Sequence, residues 1–231
     1  MKSQQLVIPG RQPDEKFIRV VRDVLSPREC EEWIAFAERL VFLPASLVDS
    51  DNPQTATKVK NPHRTNDRVL TMDPDKSKLL FERLRPFLPA KWTGEDQGNW
   101  QLASINDRLS FLRYQNAEHY GRHVDVPYED QKTGCRSFIT CQLYLNDGFL
   151  GGATRFDQEV GYTRYDERSH LDVVPVTGSA LLFEHELTHE GRPVTSGVKY
   201  SVRTDAMYCP VWPAPNAPAT SGTCDISACN A

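Results

Sequence analysis

Arg122-His123-Val124-Asp125 sets an imidazole and a carboxylate two residues apart, the interval that puts both on one face of an extended strand. A second imidazole, His189, follows 189 − 123 = 66 residues later, directly after the apolar run SALLF, where a distant strand can bring it beside the first pair. Two histidines and one carboxylate on one face are the donor set that holds Fe(II) and leaves positions open for other ligands. In a chain with six histidines the same pattern also describes a surface histidine beside an aspartate. A rival reading lies in the same place. His185-Glu186-Leu187-Thr188-His189 is the HExxH pattern in which two histidines bind zinc and the glutamate activates water. That chemistry needs a helix to turn residues i and i+4 toward one metal. Here a strand-like run precedes the motif, Gly191 and Pro193 follow it, no glutamate occurs after Glu190, and the third histidine of the longer signature is missing. A zinc peptidase would depend on His185 and Glu186, whereas an oxygenase is expected to tolerate changes to both.

The elements that must position these groups are legible in outline. FIRVVRDVL (17–25) reads as a strand, and Ser26-Pro27-Arg28-Glu29 then supplies an N-cap, a proline at N1 and a glutamate at N3. The helix that begins there carries Cys30, Trp33, Ile34, Ala37 and Leu40 at helical spacing. Residues 44–69 are polar and rich in turn formers and are expected to form a long loop or irregular hairpin. A second helix starts at Asp73-Pro74, turns Leu80, Phe81, Leu84 and Leu88 inward and stops at Pro86 to Pro89. From about Arg108 the pattern becomes short apolar runs parted by Gly, Asn and Asp: LSFLRY, SFITCQLYL, GGATRF, LDVVPV, SALLF and KYSVRTDAMY. Such runs predict a sandwich, barrel or jelly roll. In the last run Lys199, Ser201, Arg203 and Asp205 share one face, and Tyr200, Val202, Thr204 and Ala206 share the other. A Pro, Ala, Ser and Thr-rich tail is expected over 210–231.

Residues 108–208 resemble the catalytic core of prolyl 4-hydroxylase-like Fe(II)/2-oxoglutarate-dependent dioxygenases. The resemblance is carried by HVD, by HEGRPVTSGVKYSVRTDAMY with Lys199 ten residues beyond His189, and by YLND and GGATRF, which are similar to the family's YLN and GGxTxF segments. The lead-in IRVVRDVLSPREC resembles the family's N-terminal strand and helix. What it implies is a mainly β fold with flanking α, a double-stranded β-helix (jelly roll) core with N-terminal helices packed on one sheet. It further implies one domain over 1–209, with helical support over about 1–100 and the catalytic core over about 101–209. By the same resemblance His123, Asp125 and His189 are iron ligands, Lys199 pairs with the far carboxylate of 2-oxoglutarate, and Tyr114 and Tyr144 stand against that cosubstrate. The implied cofactors are Fe(II) and 2-oxoglutarate, with ascorbate as an accessory reductant, and the implied reaction uses O2 to hydroxylate a prolyl residue in a peptide or protein. Hydroxylation of a free amino acid or another small molecule on the same scaffold is the alternative. A non-enzymatic jelly-roll binding module, or a cupin with a different metal, would treat these matches as coincidence.

Arg203 departs from the animal hydroxylase pattern. Four residues beyond Lys199 on one face, it is placed to bind an acidic substrate group, to share 2-oxoglutarate with Lys199, or to pair with Asp205 or Asp157. The loops 45–69, with Arg64, Asn66 and Arg68, and 126–136, with Tyr128, are expected to flank the pocket, so Arg64, Asn66 and Tyr128 are candidate substrate contacts; Arg203 joins them from its strand, and the resemblance of GGATRF implies that Arg155 does too.

The whole chain sets limits on partners. With 231 residues, 39% of them hydrophobic, it can bury a sizeable core. Its net charge is 27 − 31 = −4, which argues against a dedicated nucleic-acid binder. No run approaches the roughly 18 apolar residues of a membrane span, and the first residues lack the apolar core of a secretory signal, so a cytoplasmic location is expected, with the nucleus left open. Six scattered cysteines with no CxxC pair favour reduced thiols, with a disulfide between Cys224 and Cys229 as the one exception considered.

Overall fold

Two β-sheets face each other across a cavity, and two helices cover the outside of the larger one. The computed structural model describes residues 1–12, 15–45, 61–93, 99–157 and 170–211. In the larger sheet Ile18–Arg22, Ala180–Glu184, Arg136–Tyr144, Val198–Pro210, Arg108–Gln115 and Asp67–Met72 lie side by side in that order, each antiparallel to its neighbours. The smaller sheet runs His170–Val173, Thr154–Asp157, His189–Gly191 and Tyr120–His123, also antiparallel. This is a mainly β architecture with few helices, and strands distant in sequence pair throughout it.

The sequence signals account for the helices. Ser26 caps Pro27–Glu38 with a complete capping box, its side chain accepting from the Glu29 amide while Glu29 reaches back to the Ser26 amide. Glu29 is also held by Arg83 of the second helix, Pro74–Leu84, at 2.8 Å, so one residue closes the first helix and ties it to the second. Cys30, Trp33 and Ala37 are buried as their spacing predicts, whereas Leu40 lies past the last helical turn and is 36% exposed. With Leu80 and Leu84 they pack on Phe111, Ile139, Leu143, Val202 and Ala206 from the outer face of the larger sheet. Ser26→Ala removes the hydroxyl that accepts from the Glu29 amide and is expected to lower stability by about 1 kcal/mol, read as a fall in the unfolding midpoint by circular dichroism.

The period-2 pattern of the last long strand is realised. Val202 and Ala206 belong to the core under the helices, while Lys199, Ser201, Arg203 and Asp205 line the cavity. Three expectations need correction. Residues 67–69 are not loop: Asp67–Met72 pairs with Arg108–Gln115 along its whole length, and a two-residue strand, Leu43–Pro44, pairs with its start. Strand pairing supplied by a partner 40 residues away leaves no local signal. The proposed tail begins late, because Pro210 still belongs to Val198–Pro210. Cys135 and Cys209 form a disulfide rather than remaining reduced, since the register that sets Tyr208 opposite Arg136 brings these two cysteines together across a separation of 74 residues. Cys30 and Cys141 are free and buried. Residues 46–60 of the expected specificity loop, residues 212–231 of the tail, and Cys224 and Cys229 lie outside the described residues. Among the described residues no helix is long and apolar enough to cross a membrane.

Candidate metal and cosubstrate site

Strand pairing in the smaller sheet assembles the donor cluster. His189 lies directly opposite His123 in the pairing of His189–Gly191 with Tyr120–His123, and their rings are 4.2 Å apart. Asp125 follows just beyond its strand, with its amide donating to the His185 carbonyl at 2.9 Å. Its two carboxylate oxygens lie 3.8 Å from His123 Nε2 and from His189 Nε2, and the three donor atoms all fall within 4.8 Å of one another.

The chain fixes which atoms face the centre. His123 Nδ1 is 2.8 Å from the Gly121 carbonyl, and His189 Nδ1 is 2.8 Å from the Leu187 carbonyl. A carbonyl only accepts, so both rings carry their proton on Nδ1 and present an Nε2 lone pair toward Asp125. Burial, and then the neighbouring His189, pull His123 down to about 3; burial likewise lowers His189 against the opposing pull of Asp125. Both imidazoles are therefore neutral at ordinary pH. Burial alone would raise Asp125, but the Arg203 guanidinium beside it leads the opposing pull that holds the carboxyl well below the usual carboxylate range. Thr140 Oγ1 donates to Asp125 at 2.5 Å and fixes the carboxylate plane. Two neutral nitrogen donors and one anionic oxygen, converging from one side, fit a divalent iron and leave its other side open.

The ligand rings are held by packing as well. Tyr120 stacks on His123 at 3.6 Å, and the Arg64 guanidinium lies 4.3 Å over the other ring system of that stack, Tyr120. Gly121 permits this, because a Cβ there would stand 2.6 Å from the His63 ring, whose backbone carbonyl accepts from the Gly121 amide. Phe183 and Phe156 close the far side of His189.

Lys199 enters the same cavity from the larger sheet. It is 4% exposed, and its ammonium donates to the Gly152 carbonyl at 2.6 Å between the rings of Tyr114 and Tyr144. Gly152 sits at φ +67°, and a Cβ there would crowd Phe149 and Lys199, so glycine is the residue that both the turn and the lysine require. Burial lowers Lys199 to about 7. A buried cation with no carboxylate beside it among the described residues is costly unless an anion joins it, which fits a dicarboxylate reaching in from the donor cluster. Tyr114 lines the cavity and is pushed up to about 12 by burial; Tyr144 donates to or accepts from Thr154 Oγ1 at 2.8 Å and is raised by burial too.

The five candidate substrate contacts separate. Arg203 lines the cavity and pairs with Asp205 at 3.1 Å and with Asp125 at 3.4 Å, so it does not reach Asp157, which pairs with Arg122. Arg64 lines the cavity, and fully buried Asn66 holds its Nε at 3.2 Å without lining the cavity itself. Arg155 does not line it: the strand alternation that turns Thr154 inward turns Arg155 outward, onto a two-bond pair with Asp172. Tyr128 does not line it either; its amide donates to the Ser137 side chain and its ring is 40% exposed. The HExxH segment is not helical. Glu184 ends a strand, Glu186 pairs with Lys16 on the outside, and His185 is buried 3.5 Å from Asp205. Glu186 thus points away from the cavity, whereas His185 is buried beside a cavity-lining carboxylate. Arg68, expected in a flanking loop, lines the cavity from a strand, and sequence reasoning missed Thr140, Tyr120 and Arg108. Thr140 could have been found, because it alternates with Gln142 and Tyr144 along SFITCQLYL.

Residues 109–204 match the model of the 2OG-Fe(II) oxygenase superfamily. The chain is 26% identical over 200 residues to a prolyl 4-hydroxylase homologue of Acanthamoeba polyphaga mimivirus, covering 78% of this chain and 70% of that one. It shares its fold with the viral collagen prolyl hydroxylase of Paramecium Bursaria Chlorella virus-1 solved with 2-oxoglutarate (TM-score 0.51, 18% identity, 84% of this chain and 97% of that one). It shares it also with a Trichoplax adhaerens prolyl hydroxylase in complex with a hypoxia inducible factor peptide fragment (TM-score 0.54, 14% identity, 82% of each chain).

Proposed function

We propose that the chain, whose residues 109–204 match the 2OG-Fe(II) oxygenase superfamily, is a prolyl 4-hydroxylase-like 2-oxoglutarate-dependent dioxygenase that hydroxylates an unactivated C–H bond of a prolyl residue in a peptide or protein. The balance is substrate C–H plus 2-oxoglutarate plus O2 giving substrate C–OH, succinate and CO2. His123, Asp125 and His189 would hold the iron, which when bound supplies the oxygen activation. Everything else is positioning. Lys199 pairs with the distal carboxylate of 2-oxoglutarate, Tyr114 walls it, and the backbone carbonyls of Gly121 and Leu187 hold both imidazoles in the metal-binding tautomer. Thr140 orients Asp125, and the aromatic packing around His189 keeps water from its outer side.

The observation that carries this reading is the meeting, in one cavity, of a neutral N,N,O donor cluster and a buried lysine. A free amino acid or another small molecule is the second reading, since the same donors and lysine would serve it equally. The test supplies Fe(II), 2-oxoglutarate, O2 and ascorbate with prolyl peptides or free proline, and follows succinate and a product heavier by one oxygen. Succinate formation dependent on both iron and O2 is expected, and it should be unchanged in Glu186→Gln. Peptide cleavage in place of oxygen incorporation, lost with Glu186→Gln, would overturn the proposal.

A further inference from the structure

The Asp125 carboxylate stands where the two sheets meet. It follows the end of a strand of the smaller sheet, while the groups around its oxygens come from the larger one. Thr140 Oγ1 donates to Oδ2 at 2.5 Å and fixes the carboxylate plane. Arg203 Nη2 lies 3.4 Å from Oδ1, beyond the usual hydrogen-bond range, so what it brings to that oxygen is charge rather than direction. The same Nη2 is 3.1 Å from Asp205 Oδ1, and His185 Nε2 lies 3.5 Å from that Asp205 oxygen. Strand register builds this chain of contacts. Asp205 pairs with Thr140 and Arg203 with Gln142, so the alternation that turns Arg203 and Asp205 into the cavity sets them beside the very residue that holds Asp125.

The three charged groups are largely withdrawn from water, with side chains 8% exposed at Asp125, 12% at Asp205 and 25% at Arg203. Charges placed so are screened little by salt. A cation beside a carboxylate reduces what that carboxylate can offer a metal ion, and an anion beside the cation restores part of it. The pull of Arg203 is already felt in the metal-free protein, where it leads the forces that keep buried Asp125 ionised.

We infer that Arg203 and Asp205 are positioning residues that set how strongly Asp125 holds the metal: Arg203 draws on the carboxylate and weakens its hold, and Asp205 restrains Arg203 and strengthens it. The inference rests on the proposed function, in that the donor cluster holds a metal ion. It gives Arg203 a role that is complete before 2-oxoglutarate or substrate arrives, in place of the substrate contact expected from its strand position.

The test adds Mn(II) alone, without 2-oxoglutarate, to the metal-free full chain and measures its dissociation constant from the electron spin resonance signal of the unbound ion. Arg203→Gln is expected to bind Mn(II) about tenfold more tightly than the wild type and Asp205→Asn about tenfold more weakly, the scale usual for groups that act on a metal through one of its ligands. Arg203→Lys, which keeps the charge, should stay close to the wild type. Introduced into Arg203→Gln, the change Asp205→Asn should lose most of its effect, because its route to Asp125 is gone. A merely structural role weakens binding in both single variants and overturns the inference, as does an Asp205→Asn effect of equal size in the two backgrounds. Unchanged Mn(II) affinity in Arg203→Gln overturns it too, and an accompanying loss of 2-oxoglutarate affinity would assign Arg203 to the cosubstrate. Asp205→Asn keeps the shape of its side chain and decides the matter alone if Arg203→Gln does not fold: Mn(II) affinity equal to or above that of the wild type overturns the inference. A wild type that binds no Mn(II) overturns the function on which it rests instead.

Discussion

His189→Ala is expected to abolish the weak visible band that Fe(II) and 2-oxoglutarate give together without oxygen, and to weaken metal binding by more than about 100-fold. The magnitude follows from the geometry. His189 supplies one of three converging donors, its lone pair fixed by the Leu187 carbonyl, and even residues that only orient a metal ligand typically contribute 10- to 100-fold in affinity. Without it Asp125 and His123 remain as a two-donor site, too few to hold iron against solvent. Because His189 also packs on Phe183 and Phe156, the variant needs a folding control. Thermal unfolding supplies one: the wild type should gain stability when Fe(II) and 2-oxoglutarate are added, while a folded His189→Ala protein should show no gain. A band that persists in the variant would mean that the cluster is not the iron site.

Lys199→Ala should leave metal binding in place and strip away the affinity for 2-oxoglutarate. Removing one partner of a buried charge pair costs about 3 kcal/mol or more, hence a rise in the dissociation constant of about 150-fold. Binding should also depend on pH in a particular sense. The distal carboxylate of 2-oxoglutarate is ionised throughout the neutral range, and its partner must be the protonated ammonium. Burial holds Lys199 near 7 in the free protein, so below that pH the cation is present beforehand, and above it each binding event must first recover a proton. Affinity for 2-oxoglutarate should therefore be flat below about pH 7 and fall by up to tenfold per unit above it, a slope that vanishes in Lys199→Ala. Anaerobic titration of the visible band at several pH values measures both effects. Undiminished 2-oxoglutarate affinity in the variant would place the cosubstrate elsewhere.

Much of this site could be read from spacing alone, and the parts that could not share a cause. Lys199 and Arg203 share a face of one long strand, so alternation aims both into the cavity, and the two-residue interval from His123 to Asp125 marks the donor pair even though Asp125 lies just past the end of Tyr120–His123. The same alternation, followed through GGATRF, would have turned Arg155 away from the cavity once Thr154 was turned toward it. Tyr128 lies in a stretch without periodicity, where residue type gives no direction. Arg68 could be placed near the pocket but on no face, because residues 67–69 of the strand Asp67–Met72 looked like loop, and a loop has no faces to assign. The strand exists because Arg108–Gln115 pairs with it, and pairing between segments distant in the chain is written in neither of them. The Cys135–Cys209 disulfide is a product of that same long-range register.

The backbone clamps on the two histidines bear on metal selectivity. With each Nδ1 proton committed to a carbonyl of the chain, the two Nε2 lone pairs stand ready before any ion arrives, and nothing in that readiness is particular to iron. Among divalent first-row ions an N,N,O site of this kind holds cobalt, nickel and copper more tightly than iron, in the general order of their complexes. On the proposed function the fold would set where an ion sits, and the supply of ions around the protein would set which one it is.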